Sequence, residues 1–140
     1  MLLIPTYIAE SKIPGAGLGL YCKDFVPANT FIWTFHHGFD YIVETLPEEV
    51  ILKDFVLKYG YLPLTGETGW VMCADDARFF NHSDDPTCLD FASTTAARFE
   101  LAPHTELTSD YRSFCRDPFR VFQVSAPEAS RNLVADGVFA

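Results

Sequence analysis

The sequence predicts a mainly β fold with few helices, gathered into one principal domain. Three observations carry this. Glycines and prolines are scattered as punctuation between short apolar runs. Those runs are rich in aromatic and β-branched residues, with 15% of the chain aromatic. Helical periodicity is confined to one segment. At 140 residues, 49% of them hydrophobic, the chain can bury one small core, and no repeat, low-complexity stretch or linker divides it.

Taken in order, the expected strands are Thr6 to Ala9, Leu18 to Cys22, Phe31 to Phe35, Trp70 to Cys73, Leu89 to Ser93 and Arg98 to Leu101. The one expected helix runs from about Leu46 to Tyr59. Thr45 and Glu48 form a capping box, Pro47 sits in the first turn, Val50, Ile51, Phe55 and Tyr59 recur as an apolar face, and Gly60 follows. Further on, a turn after Glu100 leads into a strand ending in Asp110-Tyr111. Beyond Tyr111 come Phe114, Phe119, Val121, Phe122 and Val124, then a polar, weakly helical Pro127 to Asn132. These aromatics need burial, as a cover for the core or as a flap over a ligand groove.

Lys and Arg number 10 against 19 Asp and Glu, a formal charge of −9, so a surface that tracks phosphate backbones is not expected. Direct nucleic-acid binding is therefore not expected, and a basic partner suits the surface better. Cys22, Cys73, Cys88 and Cys115 are widely spaced with no C-x-x-C pair, which speaks against a zinc ribbon or a dithiol redox motif and for buried thiols in a reducing compartment. Met1 to Pro5 is too short for a signal-peptide core and no run is long enough to span a bilayer. The expectation is an intracellular protein, cytoplasmic or, in a eukaryote, nuclear, with no membrane partner.

Three segments carry candidate chemistry. Ser11 to Tyr21, with Gly15, Gly17 and Gly19 at alternate positions, is a glycine-spaced turn feeding a strand. It serves a hairpin or a close approach of backbone to ligand. It is not a dinucleotide fingerprint, because a strand follows it rather than a helix. Ala77 to Pro86 places Asn81, His82 and Ser83 consecutively between acidic stretches, either as a capped exposed turn or as a polar wall facing a ligand rich in donors and acceptors. Nearby carboxylates and His82 also suggest a hard metal site, but nothing elsewhere completes a ligand set. The third segment is Glu100 to Tyr111.

In this order, from Tyr7 to Tyr111, these segments resemble the SET-domain family of protein-lysine methyltransferases. The glycine turn is similar to its G-x-G segment, Arg78 to Ser83 to its R-F-x-N-H-S motif, and Glu106 to Tyr111 to its E-L-T-x-D-Y motif. The resemblance implies small β-sheets with a threaded, pseudoknot-like C-terminal segment, a SET domain over 1–115 with a variable helical insert at about 40–70, and a short extension over 116–140 packing on it. It implies methyl transfer from S-adenosyl-L-methionine to the ε-amine of lysine in a protein. The alternative is a catalytically silent SET module that serves as a binding or assembly surface.

Carried over residue by residue, the resemblance gives Tyr111 the catalytic role and places Tyr7 and Ser109 at the substrate lysine. Gly17, Leu18, Gly19, Asn81, His82 and Phe114 would hold the cofactor: the glycine turn and the Asn81 amide at its amino-acid end, the His82 backbone at the adenine edge, Phe114 by stacking or else as core. Arg78 would be a brace. The implied partner is a basic or lysine-bearing protein, with a homodimer as a candidate assembly. Departures are informative. Asp84 stands where many relatives carry a cysteine, and only Cys115 follows the last motif, so no zinc or other metal is expected. His104 replaces a common turn glycine, Thr87 a common asparagine, and Ser109 a frequent aromatic, which leaves space beside the accepting amine.

Overall fold

The computed structural model describes residues 1–66 and 68–118. Thr6–Glu10 (β1) and Leu18–Cys22 (β2) form an antiparallel hairpin around the glycine turn, with Tyr7 opposite Tyr21 and Ala9 opposite Gly19. Glu106–Ser109 (β9) is inserted between β2 and Asn81–His82 (β6), so the four-stranded order is β1-β2-β9-β6. It runs antiparallel to β2 and parallel to β6, pairing Asn81 with Thr108 and His82 with Ser109. This is how two motifs far apart in sequence come to share one ladder.

A second sheet orders Phe31–Thr34 (β3), Thr94–Ala97 (β8) and Cys88–Phe91 (β7) as β3-β8-β7, and Tyr41–Val43 (β4) pairs with Trp70–Met72 (β5) in a third. The core between the sheets is Leu20, Cys22, Val26, Ile32, Cys88, Ala97, Leu101 and Leu107. Leu20 and Cys22 alternate along β2 as a period of two requires, Leu107 comes from β9, Ile32, Cys88 and Ala97 from the second sheet, and Val26 and Leu101 from an isolated bridge.

The single α-helix among the described residues, Val50–Tyr59 (α1), starts four residues later than the capping box predicts. Glu49 is its N-cap, in an extended conformation and with no side-chain cap hydrogen bond. The pairing of β4 with β5 holds the preceding chain extended through Val43, and this long-range pairing outweighs the local capping signal. The buried face also differs: Val56 is buried, whereas Val50 and Ile51 are 70% and 83% exposed.

Arg98 to Leu101 is not a strand. The chain reverses at Ala92-Ser93, joining Phe91 to its partner Thr94 through a two-residue turn with Ala92 at φ 49. The strand after it is therefore Thr94–Ala97, and Leu101 makes only an isolated bridge to Val26. Two-residue hairpin turns need positive φ, usually supplied by Gly or Asn, so alanine there concealed the turn. His104, at the position of a common turn glycine, takes φ 66. The expected aromatic tail from Phe119 onward, its helical Pro127 to Asn132 and nearly all of the 116–140 extension lie outside the described residues.

Candidate functional site

Two neighbouring polar arrangements are built on the β2-β9-β6 ladder. The first centres on Glu106, buried at the start of β9. Its Oε2 accepts from Ser11 Oγ at 2.7 Å and Oε1 from the Lys12 amide at 2.9 Å, with longer contacts from Tyr21 Oη and Asn81 Nδ2, both 3.4 Å. Asn81 Nδ2 also donates to the Leu18 carbonyl at 2.8 Å. The Asn81 amide thus fastens the glycine turn to β6. Gly19 is glycine for the same reason: a Cβ there would come within 2.6 Å of Glu106 Oε2. Gly17 differs, with φ +76 and nothing within 4 Å of where a Cβ would stand, and Leu18 is half exposed.

His82 connects the glycine-turn side to Tyr111. The Tyr111 amide donates to His82 Nδ1 at 3.1 Å, so Nδ1 carries a lone pair and the ring proton sits on Nε2, which faces Asp84 Oδ1 at 2.9 Å. The separation of 3.7 Å between Nδ1 and Asp110 is then not an ion pair. Tyr111 is buried at 3% exposure, and its hydroxyl donates to the Phe80 carbonyl at 2.5 Å. Thr87 supports the same ladder: its hydroxyl donates to the Glu106 carbonyl and accepts from the Thr108 amide, both at 2.9 Å.

The second arrangement is a cleft of about 530 Å³, open solvent at its mouth included. Trp33, Tyr59, Tyr61, Tyr111 and Phe114 give it aromatic walls, and Arg78, Asp90, Thr95 and Ser109 bring polar groups to it. Asp90 Oδ1 accepts from Thr95 Oγ1 at 2.7 Å and from Ser109 Oγ at 3.5 Å. Desolvation, the largest influence, raises the Asp90 carboxyl above the usual carboxylate range, and the hydroxyls only partly offset it. Burial also pushes the Cys73 thiol up to about 12 and raises the Tyr61 phenol well above its ordinary value. Both are neutral.

The sequence-predicted residues therefore fall into three places. Gly17, Leu18, Gly19, Asn81 and His82 lie together around the Glu106 carboxylate and the β6 strand. Ser109, Tyr111 and Phe114 line the cleft. Tyr7 joins neither: it stacks on Tyr21 at 5.4 Å, and its hydroxyl meets His104 Nδ1 at 3.0 Å on the outer strand of the hairpin. The tyrosine expected at the substrate lysine thus lies outside this cleft, whose aromatic walls include Tyr59 and Tyr61. Phe114 packs edge-to-face on Tyr61 and Tyr111, with centroids 5.0 and 5.8 Å away, which gives its ring a packing role. Arg78 braces as expected, with Nη1 on the Asp75 carbonyl at 3.1 Å and its guanidinium over the Phe79 ring at 4.8 Å.

Sequence reasoning assigned no role to Glu106, Trp33 or Tyr61. Nor did it assign one to Asp90. The available signal was an acidic residue between Leu89 and Phe91 in an apolar strand, a position that is costly unless used. No group of three or more His, Cys, Asp or Glu that could hold a metal occurs among the described residues, and among them no helix is long and apolar enough to cross a membrane.

The SET domain family profile matches residues 17–112, more than half of the chain. The chain belongs to the SET domain family. Solved structures agree in fold. A humanised mutant of the Chaetomium thermophilum Polycomb Repressive Complex 2 bound to an inhibitor aligns with TM-score 0.59 and 16% identity over 84% of this chain and 16% of that one. The same complex, in an autoinhibited conformation bound to S-adenosylmethionine, aligns with TM-score 0.62 and 15% identity over the same shares. A Plasmodium falciparum protein assigned as a histone methyltransferase aligns with TM-score 0.53 and 17% identity, over 79% of this chain and 95% of that one. This chain thus spans about a sixth of the length of the first two. No curated protein matches it in sequence.

Proposed function

We propose that this SET domain is an S-adenosylmethionine-dependent methyltransferase acting on the ε-amine of lysine in a protein. The observation that carries the reading is the junction of β6 and β9, which sets the Asn81-His82 pair and its glycine turn on one side of Tyr111 and an aromatic cleft on the other. One structural neighbour was solved with S-adenosylmethionine, and family membership makes that the cofactor to test first.

The residues fit such a ligand. Gly17 leaves open space at a left-handed turn, Leu18 is half exposed, and the Leu18 carbonyl is held in place by Asn81. The glycine turn would receive the amino-acid end and the His82 backbone the adenine edge, with Asn81 shaping the turn as well as bonding. When bound, the cofactor supplies an electron-poor methyl group on a sulfonium. Because the Tyr111 proton is committed to the Phe80 carbonyl, the Tyr111 oxygen can act toward a ligand only as an acceptor. That is the polarity a polarised methyl needs for C–H···O contacts. The cleft walls would enclose the lysine stem, exclude water and hold the amine in line, and such positioning supplies much of the rate. Asp84 and Asp85 are exposed beside the site and would favour a basic segment of substrate.

The deciding experiment is transfer of tritium from labelled S-adenosylmethionine to core histones and other lysine-rich proteins, followed by peptide mapping. Label on lysine supports the reading. Cofactor binding without transfer to any protein would favour the silent module instead, and absence of a thermal shift with millimolar cofactor would remove the cofactor assignment.

A further inference from the structure

Among the described residues, three buried side-chain polar atoms have no hydrogen-bond partner: Trp33 Nε1, Arg78 Nε and Asp90 Oδ2. All three residues line the same cleft. An unpaired buried polar atom costs stability, so their concentration at one cavity marks a place prepared for a ligand with at least one strong donor. Resting on the reading of this cleft as the lysine channel, we propose that Asp90 receives the substrate ammonium on Oδ2 and takes its proton.

The geometry assigns the two carboxylate oxygens different tasks. Thr95 and Ser109 hold Oδ1, which fixes the carboxyl group and leaves Oδ2, buried on a residue that lines the cavity, without a donor. The other groups facing Asp90 compensate little. Ser113 is the least of the influences that lower it, and its hydroxyl donates to the Asp110 carbonyl at 2.6 Å. Asp110 is a second negative charge, kept ionised by Arg112. Tyr61, Cys88 and Cys115 are neutral, since burial pushes each of them up. Arg78 is the cation in the lining, and its guanidinium rests on the Tyr59 and Phe79 rings with Nη1 on a carbonyl.

An incoming ammonium supplies Oδ2 with a donor and an opposite charge, while the aromatic walls accept the stem and favour a cation over their faces. Within a cavity of low dielectric, the ion pair of carboxylate and ammonium loses ground to the neutral pair of carboxylic acid and amine. The N–H bond breaks and an O–H bond forms at Oδ2. The freed lone pair then forms the N–C bond to the cofactor methyl as the C–S bond breaks, its electron pair remaining on sulfur as a thioether. The product is a methylated ammonium, and the proton on Asp90 leaves to solvent when the cleft reopens. The two other unpaired groups are both donors, matched to the carbonyl oxygens that flank a lysine in a peptide.

The test uses butylammonium chloride, which is the lysine side chain alone, titrated by NMR into the wild type and Asp90→Asn. The amide spectra also report whether the variant is folded. Saturable millimolar binding with shifts at Thr95 and Ser109, weakened at least tenfold in the variant, is expected. Methyl transfer from labelled S-adenosylmethionine to core histones is then compared at pH 7 and pH 9.5. The variant should be slower by about 100-fold at pH 7, the scale of one general base. The gap should close at least tenfold at pH 9.5, where the amine loses its proton more readily unaided. Equal butylammonium binding by the two proteins, no saturable binding by the wild type, or a rate ratio independent of pH overturns the proposal. If neither protein transfers methyl although cofactor binds, the proposed function fails, and the butylammonium titration still decides whether Asp90 holds an amine.

Discussion

Glu106, on β9, and Asp90, on β7, are both carboxylates removed from water, and they are treated in opposite ways. Glu106 collects a hydroxyl, a backbone amide and two longer contacts across both oxygens. Asp90 has its hydroxyl donors on one oxygen only. A fully partnered buried carboxylate ties elements together and works as scaffold, while a half-partnered one keeps part of its bonding capacity for something not yet present. The same contrast separates the two sides of the site: the glycine turn is held by bonds within the chain, and the cleft is lined by polar atoms still lacking them.

The largest effect is expected where the pairing is densest. Glu106→Ala leaves the Ser11 hydroxyl, the Lys12 amide and part of the Asn81 amide without an acceptor, and should cost about 3–5 kcal/mol. For a domain of this size that lowers the thermal midpoint by more than about 10 °C. Denaturant titration measures it directly. A loss below about 1 kcal/mol would break the contrast, because the partnered carboxylate would then not be holding the turn, β2 and β6 together.

Next comes a change that separates chemistry from stability. Tyr111→Phe removes the hydrogen bond to Phe80, for roughly 1 kcal/mol, but also removes the acceptor oxygen at the meeting point of the two sides. Turnover should fall by roughly 10- to 1,000-fold with cofactor affinity little changed. Single-turnover assays alongside calorimetry distinguish these. Near-normal turnover in a folded variant would end the role given to Tyr111.

Much of this contrast was legible in sequence, but only the scaffold half. Glycine spacing and the Asn81-His82 pair are local patterns that fall at the β1-β2 hairpin and on β6, whereas the strand expected to end in Tyr111 stops at Ser109 and Tyr111 opens a short 3-10 helix. The surroundings of Tyr7 were not legible, because they depend on Tyr21 and His104, which reach it through hairpin register and a distant turn. The start of α1 was misjudged because the β4-β5 pairing competes with the Thr45-Glu48 capping signal. Asp90 carries no local signature beyond being acidic in an apolar strand, and its unpaired oxygen emerges only when β7, β8 and β9 are brought together. Half-satisfied groups are properties of packing, so a one-dimensional reading finds the residues that make bonds more readily than those that lack them.

A smaller effect should come from narrowing the cleft. Ser109 is 2% exposed and its hydroxyl lies 3.5 Å from Asp90 Oδ1, so the space expected beside the accepting amine is shared with that carboxylate. Ser109→Tyr must displace Asp90 or project into the cleft. An overpacking cost of about 1–3 kcal/mol follows, and products should shift toward monomethyl-lysine, whereas the parent accumulates di- or trimethyl-lysine. Intact-mass analysis at long times with cofactor in excess reads both proteins. A parent that stops at one methyl would show that Asp90 or an aromatic wall already closes the channel.

The smallest effect runs in the stabilising direction. Burial raises the Asp90 carboxyl above its unfolded value, so folding favours the protonated form. The sign follows: below the unfolded value of about 3.8 the group is neutral in both states and costs nothing, and as pH rises through the higher folded value the buried charge destabilises the fold. Asp90→Asn removes that charge while keeping the acceptor used by Thr95, and should stabilise the apo protein at pH 7 by about 1 kcal/mol, or a few degrees. The gain should shrink toward zero as pH is lowered to about 3.8. Asp110, held below its ordinary value by Arg112, loses its contribution as pH falls, but it does so in both proteins and cancels in the difference. Thermal unfolding of the pair from pH 3.5 to 7.5 gives the curve. A variant less stable than the parent at pH 7, or a difference that does not change with pH, would mean that Asp90 is already paired in the folded state and that the cleft holds no carboxylate in reserve.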